Sequence, residues 1–275
     1  MYVSTRLGRW FYEERGAKAR EDDPAIVLLH GLLFDGDQWR GQIGPLAALG
    51  RVIVIDGPGH GRSEVPPPFS LEDHARALVD ALDALKVPRA VLVGLSWGGM
   101  LSMRVAIEHA SRVAAMALID TSGAEESRAS RIKYRLFVAF AQRFGLPRRM
   151  LETQVAPLMF CPKTLAAHPE WVDRLTHTVN GYPRLGVVRA SKAVVIERKN
   201  VLARLGDVKV PTLVVCGRED AATVPAHSEA LAAHIAGARL EWIEGAGHMT
   251  ALEQPEALND LLVPFVREHL RAPPS

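Results

Sequence analysis

Ser96 sits at the centre of Gly94, Leu95, Ser96, Trp97 and Gly98, a Gly-x-Ser-x-Gly pentapeptide directly after the apolar run Ala90, Val91, Leu92, Val93. The β-branched run reads as a buried parallel strand and Gly99 to His109 has the apolar spacing of a helix, so the serine falls in a tight strand-to-helix turn. Such a turn strains the serine backbone and presses the flanking positions against the neighbouring strand and helix, which glycines at 94 and 98 tolerate. The hydroxyl then projects from the top of a sheet, beside a helix N-terminus suited to an oxyanion.

The chemistry such a serine offers is nucleophilic attack, and at neutral pH it needs a base, an acid to orient the base, and oxyanion donors. His248, in Gly245-Ala246-Gly247-His248 after the strand-like Leu240 to Ile243, is the base candidate. Asp220, in Gly217-Arg218-Glu219-Asp220 after the strand Thr212 to Cys216, is the candidate orienting carboxylate. Asp120, ending the strand Ala115 to Ile119, is the competing acid; its other reading is a helix or turn cap. The backbone N–H groups of Leu32, which follows Ile26 to Leu29 and His30-Gly31, and of Trp97 can supply the oxyanion donors. Glu219 is expected to face solvent, and His30, Asp56, His60 and Ser63 read as loop and turn formers.

Strands expected at Arg9 to Arg15, 26–30, 51–56, 90–94, 114–120, 211–216 and 239–244 alternate with helical stretches, the pattern of a mostly parallel sheet covered on both faces. A charged turn is expected around Arg20 to Asp23. Between Thr121 and Leu205 the alternation stops: Tyr134, Phe137, Val138, Phe140, Ala141 and Phe144 follow helical spacing, and Pro147, Pro157, Pro162, Pro169 and Pro183 punctuate several short helices. The chain therefore divides into core residues 1–120, a helical insertion at 121–205 and core residues 206–275. Phe34, Met100, Phe137, Phe140, Met159, Phe160, Trp171 and Met249 are candidates to line an apolar pocket, each with ordinary core as the plainer reading.

The insertion carries 15 Lys or Arg and six Asp or Glu, a formal +9, which leaves −7 for the remainder. The expectation is that Arg128, Arg131, Arg135, Arg148, Arg149 and Lys199 face solvent and pair with acidic residues of the core. Arg189, on an otherwise apolar helix, is the cation to consider as a substrate contact.

Together these segments resemble the α/β-hydrolase family, capped serine hydrolases of the carboxylesterase and 3-oxoadipate enol-lactonase-like type. His30-Gly31, Asp56 to Ser63, the pentapeptide around Ser96, Gly217 to Asp220 and Gly245 to His248 fall in that family's order, as does the succession Ser, Asp, His. Gly57-Pro58 departs from relatives that carry an arginine two residues after the aspartate, a difference of turn geometry. The resemblance implies a cap at 121–205 and hydrolysis of small esters or lactones through Ser96, Asp220 and His248. Acyl transfer, aminopeptidase activity and cleavage of carbon–carbon bonds beside a ketone remain alternatives on the same residues, and a ligand receptor of this fold is the non-enzyme alternative. Haloalkane dehalogenase and epoxide hydrolase chemistry is disfavoured, since those relatives place aspartate where this chain has Ser96.

Composition bounds the rest. With 275 residues, 48% of them hydrophobic, the chain can bury one large core, and a formal net charge of +2 offers no nucleic-acid footprint. Two cysteines, Cys161 and Cys216, suggest neither a disulfide framework nor a metal cluster. A charged N-terminus and short apolar runs argue against export and membrane partners. The expectation is a cytoplasmic monomer or homodimer that acts on a small molecule without metal or organic cofactor.

Overall fold

A computed structural model describes residues 1–17 and 23–270. The expected charged turn, apart from Asp23, lies outside them. Eight strands form one sheet: β1 (Tyr2–Thr5), β2 (Gly8–Arg15), β3 (Ala25–Leu29), β4 (Val52–Ile55), β5 (Ala90–Leu95), β6 (Val113–Ile119), β7 (Thr212–Gly217) and β8 (Arg239–Ile243). Their spatial order is β1-β2-β4-β3-β5-β6-β7-β8; β1–β2 and β2–β4 are antiparallel and every other pairing is parallel. The expected strands agree with β2 to β8 to within a residue at each end. Strand β1 was not foreseen, because only Val3 of its four residues is buried and no apolar run marks it.

Alternate residues of the central strands pack into two cores, one on each face. Val27, Leu29 and Leu92 meet α2 (Leu71–Ala84) and α3 (Trp97–Glu108), whereas Ile26, Leu28, Val91 and Val93 meet α1 (Arg40–Ala47) and the C-terminal helix Pro255–His269. Both faces being covered explains why these strands are continuous apolar runs rather than alternating ones.

Between β6 and β7 the chain leaves the sheet. Helix α4 (Arg128–Phe144) is followed by helical segments from Arg148 to Met159, Pro162–Ala167, Glu170–Gly181 and Arg184–Ser191. Prolines 147, 162, 169 and 183 stand at the starts of these segments, where their missing N–H costs nothing. Two π-helical turns, Leu151–Val155 and Lys192–Ile196, interrupt the insertion. Among the described residues no helix is long and apolar enough to cross a membrane.

Candidate active site

Ser96 joins β5 to α3 with φ of 51° and ψ of −109°. The turn is held from below: Ser96 N–H donates to the Ile119 carbonyl at 2.9 Å, and Thr121 Oγ1 donates to the Ser96 carbonyl at 2.7 Å. A Cβ on Gly98 would lie 2.0 Å from the Leu29 carbonyl oxygen, and one on Gly94 would lie 2.3 Å from the Gly98 backbone. The pentapeptide's glycines are therefore required by contact with the strand and helix on either side. Four described non-glycine residues have positive φ, and three of them, Leu33, Ser96 and Asp120, follow the C-terminal ends of β3, β5 and β6. Strain collects at one edge of the sheet, where functional geometry is commonly stored.

His248 and Asp220 come together at that edge from the ends of β8 and β7. His248 Nδ1 lies 2.9 Å from Asp220 Oδ2, and both residues are buried. Asp220 is itself fixed: Oδ1 accepts from the N–H groups of Ala222 at 2.8 Å and Thr223 at 2.9 Å, and Oδ2 accepts from Thr223 Oγ1 at 2.8 Å. Burial pushes the Asp220 carboxyl up, but the His248 charge, its hydrogen bond and the Thr223 donors outweigh this and hold it below its ordinary value. Burial pulls the His248 imidazole down; attraction to Asp220 and their hydrogen bond overcome it, and the imidazole stands above its ordinary value.

Glu253, which sequence reasoning passed over, braces the histidine loop. Its Oε1 accepts from the N–H groups of Gly247 at 2.8 Å and Met249 at 3.3 Å, while Oε2 accepts from Cys161 N–H of the insertion at 2.8 Å. Its position five residues after His248, on the adjoining short helix Thr250–Glu253, was the available signal.

Asp120, the competing acid, is directed elsewhere. Its Oδ1 accepts from Gly217 N–H at 2.8 Å and its Oδ2 is 2.6 Å from Thr250 Oγ1. Full burial, followed by repulsion from Asp220, raises its carboxyl well above its ordinary value. Ligand atoms of Asp120, Cys216 and Asp220 lie within 4.8 Å of one another. They make a poor cation cradle, because the carboxylate oxygens already have hydrogen-bond partners and burial pushes the Cys216 thiol up to about 12.

The loop after β3 presents Leu32 beside the first turn of α3. Among the described residues neither the Leu32 nor the Trp97 N–H has a hydrogen-bond acceptor, and the latter is one of the orphan donors of a helix start. Two buried histidines set this loop. Gly57 N–H donates to His30 Nε2 at 2.7 Å, so His30 Nδ1 carries the proton toward the Gly31 carbonyl at 2.8 Å. Leu33 N–H donates to His60 Nε2 at 3.3 Å, and burial with the neighbouring His30 lowers His60 to about 3, which keeps it a neutral acceptor.

Ser96, His248, Leu32 and Thr223 line a cavity of about 180 Å³ between the sheet edge and the insertion. Its walls are mostly apolar: Met100 from α3, Phe137, Val138 and Ala141 from α4, Val155, Leu158 and Met159, and Val187, Val188, Val194 and Val195. Both π-helical turns contribute to it, as such turns often do at functional sites. Of the residues expected at an apolar pocket, Met100, Phe137 and Met159 line this cavity. The others do not. Phe34, Phe160 and Trp171 pack edge to face in a separate groove, Phe140 stacks near Phe144 at the surface, and Met249 is fully buried in the core.

Arg189 is also misplaced as a substrate contact, because its guanidinium donates to the Pro66 carbonyl and straps the insertion to the core. Tyr182 Oη, donating to Asp35 Oδ2 at 2.8 Å, makes a second strap. Two other cations line the cavity: Lys133 of α4, and buried Arg198, which pairs with Glu126 at 2.7 Å and donates to the Ala124 carbonyl. Sequence could not single them out from 15 basic residues. Nor do the outer arginines pair with the core as expected: Arg131 meets Glu125, and Arg148 meets Glu152 and Asp173, all within the insertion.

Chemically, the edge offers a strained serine, an imidazole anchored by a carboxylate and two unpaired N–H groups around one apolar cavity. Hydrolases are among the known proteins that the chain is similar to. The esterase from Thermogutta terrifontis, a solved structure with malate bound, has a TM-score of 0.88 and 27% identity, covering 98% of this chain and 99% of its own. The 3-oxoadipate enol-lactonase 1 of Acinetobacter baylyi is 26% identical over 90% of each chain. The 2-hydroxy-6-oxo-6-phenylhexa-2,4-dienoate hydrolase of Comamonas testosteroni is 28% identical over 94% of this chain and 91% of its own length. A family model described as the alpha/beta hydrolase fold matches residues 24–255, and the chain belongs to that family.

Proposed function

We propose that this protein hydrolyses small carboxylic esters or lactones through an acyl-enzyme on Ser96. The observation that carries the reading is the 2.9 Å contact of Asp220 with His248, which lines the same cavity as Ser96. In this mechanism His248 Nε2 takes the hydroxyl proton as Ser96 Oγ attacks the carbonyl carbon. Asp220 holds Nδ1–H and stabilises the imidazolium, while the N–H groups of Leu32 and Trp97 receive the oxyanion. Collapse expels the alkoxide, which takes the proton from His248; water then attacks the acyl group by the same route and releases the acid. In a lactone both products are one molecule. Residues 121–205 act as the cap that closes the cavity, and their apolar lining favours an apolar acyl group over a charged one.

The dienoate hydrolase similarity keeps carbon–carbon cleavage as the second reading, since such a reaction could use the same serine and histidine. Turnover of p-nitrophenyl esters over many cycles, together with a single phosphonate adduct on Ser96 by peptide mass, tests the first. Wild-type turnover in Ser96→Ala would overturn it; an adduct without ester turnover, with cleavage of a 2-hydroxy-6-oxo-dienoate, selects the second.

A further inference from the structure

Helix α4 gives one face to the cavity and leaves another uncovered. Val138 and Ala141 are buried and Phe137 partly so, whereas Ile132, Leu136 and Phe144 are 59%, 69% and 62% exposed and Phe140 is 38% exposed. These four recur at every fourth residue, so they form one stripe along the helix that advances by only about 40° per step. Arg128, Arg131, Lys133, Arg135 and Arg143 share the helix with them, and it contains no acidic residue. Among the described residues only Arg131 of these five has an ion-pair partner, Glu125 at 3.6 Å. Leu185 on the adjoining helix is exposed as well, and Arg184 lies against Gly145 at the end of α4.

Single exposed apolar residues are ordinary; a continuous stripe walled by unpaired cations is not. A second copy of this chain would bring two such helices face to face and repel. A surface that offers both an apolar interior and anionic groups matches the stripe and its walls at once.

We propose that the α4 face docks on an anionic lipid surface, with Ile132, Leu136, Phe140 and Phe144 entering the headgroup–acyl boundary and Arg128, Arg135 and Arg143 meeting the anionic headgroups. The helix lies along the surface and does not cross it. The short apolar runs that argued against a membrane partner exclude spanning, not docking. Because Phe137 and Tyr134 of the same helix line the cavity, docking sets the cavity about one helix diameter from lipid.

Co-sedimentation of the full chain with vesicles tests this without any turnover measurement, so it stands or falls separately from the hydrolase reading. Binding is expected to phosphatidylcholine vesicles containing about one third phosphatidylserine, not to phosphatidylcholine alone, and to fall as salt rises. Arg135→Gln combined with Arg143→Gln should weaken it about 30-fold, from roughly 1 kcal/mol per cation. Leu136→Ser with Phe144→Ser should weaken it at least about ten-fold. None of these four side chains is buried in the core, so unchanged circular dichroism and thermal unfolding would show that the variants are folded. Absent binding, equal binding to both vesicle types, or indifference to both variants overturns the proposal. So does a dimer in buffer that Leu136→Ser with Phe144→Ser dissociates, which would assign the face to a second copy.

Discussion

At the edge of the sheet, side chains are placed by backbone that has no room to be otherwise: a methyl group on Gly98 would sit 2.0 Å from a strand carbonyl, and the Ser96 amide is tied to β6. In the insertion between β6 and β7, the same cavity is lined by valines, leucines and methionines on short helices joined through two π-helical turns. The first region fixes where bonds are made and broken. The second fixes only what shape and polarity a bound molecule meets, and many apolar side chains of similar volume would serve. Substitutions in the two regions should therefore differ in kind as well as in size: losses of rate for every substrate in one, changes of preference among substrates in the other.

The sharpest test of the sheet edge separates its two buried acids. Asp220→Asn can present an amide N–H to His248 Nδ1 and so favour the wrong tautomer, and kcat should fall by about 10³ to 10⁴. Asp120→Asn should change kcat far less, because Asp120 makes no hydrogen bond to His248, and an amide oxygen can still accept from Gly217 N–H. Steady-state kinetics on one p-nitrophenyl ester, with chemical denaturation to check folding, decides between them. Equal losses would mean that the two carboxyls act as one unit.

The pH profile gives the next largest effect. His248 must be neutral to accept the serine proton, and its imidazole is raised above the ordinary value by Asp220. Protonation therefore removes activity from a higher pH than an isolated imidazole would, whose value is about 6.5, and kcat/KM should drop about ten-fold per unit below the raised value. In Asp220→Asn the residual activity should keep its level to lower pH, because the attraction that raised the imidazole is gone while burial still opposes its charge. An acid limb at the same pH in both proteins would remove Asp220 as the cause.

How much of this was legible follows the same division. Strands β2 to β8, the turn around Ser96 and the positions of Asp220 and His248 at strand ends could be read because buried parallel strands write unbroken apolar runs and tight turns demand glycine. Strand β1 escaped because an edge strand with one buried residue leaves no such run. In the insertion, helical periodicity identified α4 but not which of its faces is covered. Phe137 reaches the cavity while Phe140, three residues on, is largely at the surface; an apolar residue carries the same letter whether it meets substrate, core or solvent. Arg189 and Arg198 show the limit for charge: one straps the insertion to Pro66 and the other is buried against Glu126, a difference set by residues distant in sequence. Glu253 was within reach, five residues after His248, but its bracing role appears only when the N–H groups of Gly247, Met249 and Cys161 converge on it.

The smallest expected effect is also the one that tests the insertion's part in the comparison. Val195 is partly buried, lines the cavity and belongs to the second π-helical turn. Val195→Phe adds an aromatic ring to a space of about 180 Å³, where displaced substrate volume, rather than a broken hydrogen bond, is the consequence. Activity on acetate esters should change little, because the groups around Ser96 are unmoved, while kcat/KM for esters of longer acyl chains should fall about ten-fold, the low end of what one methylene is worth in an apolar pocket. A ladder of p-nitrophenyl esters of increasing acyl length reads this directly, with thermal unfolding to detect overpacking. A uniform loss across the ladder, with stability unchanged, would mean that the insertion helps to position Ser96 or His248 and that the division between the two regions does not hold.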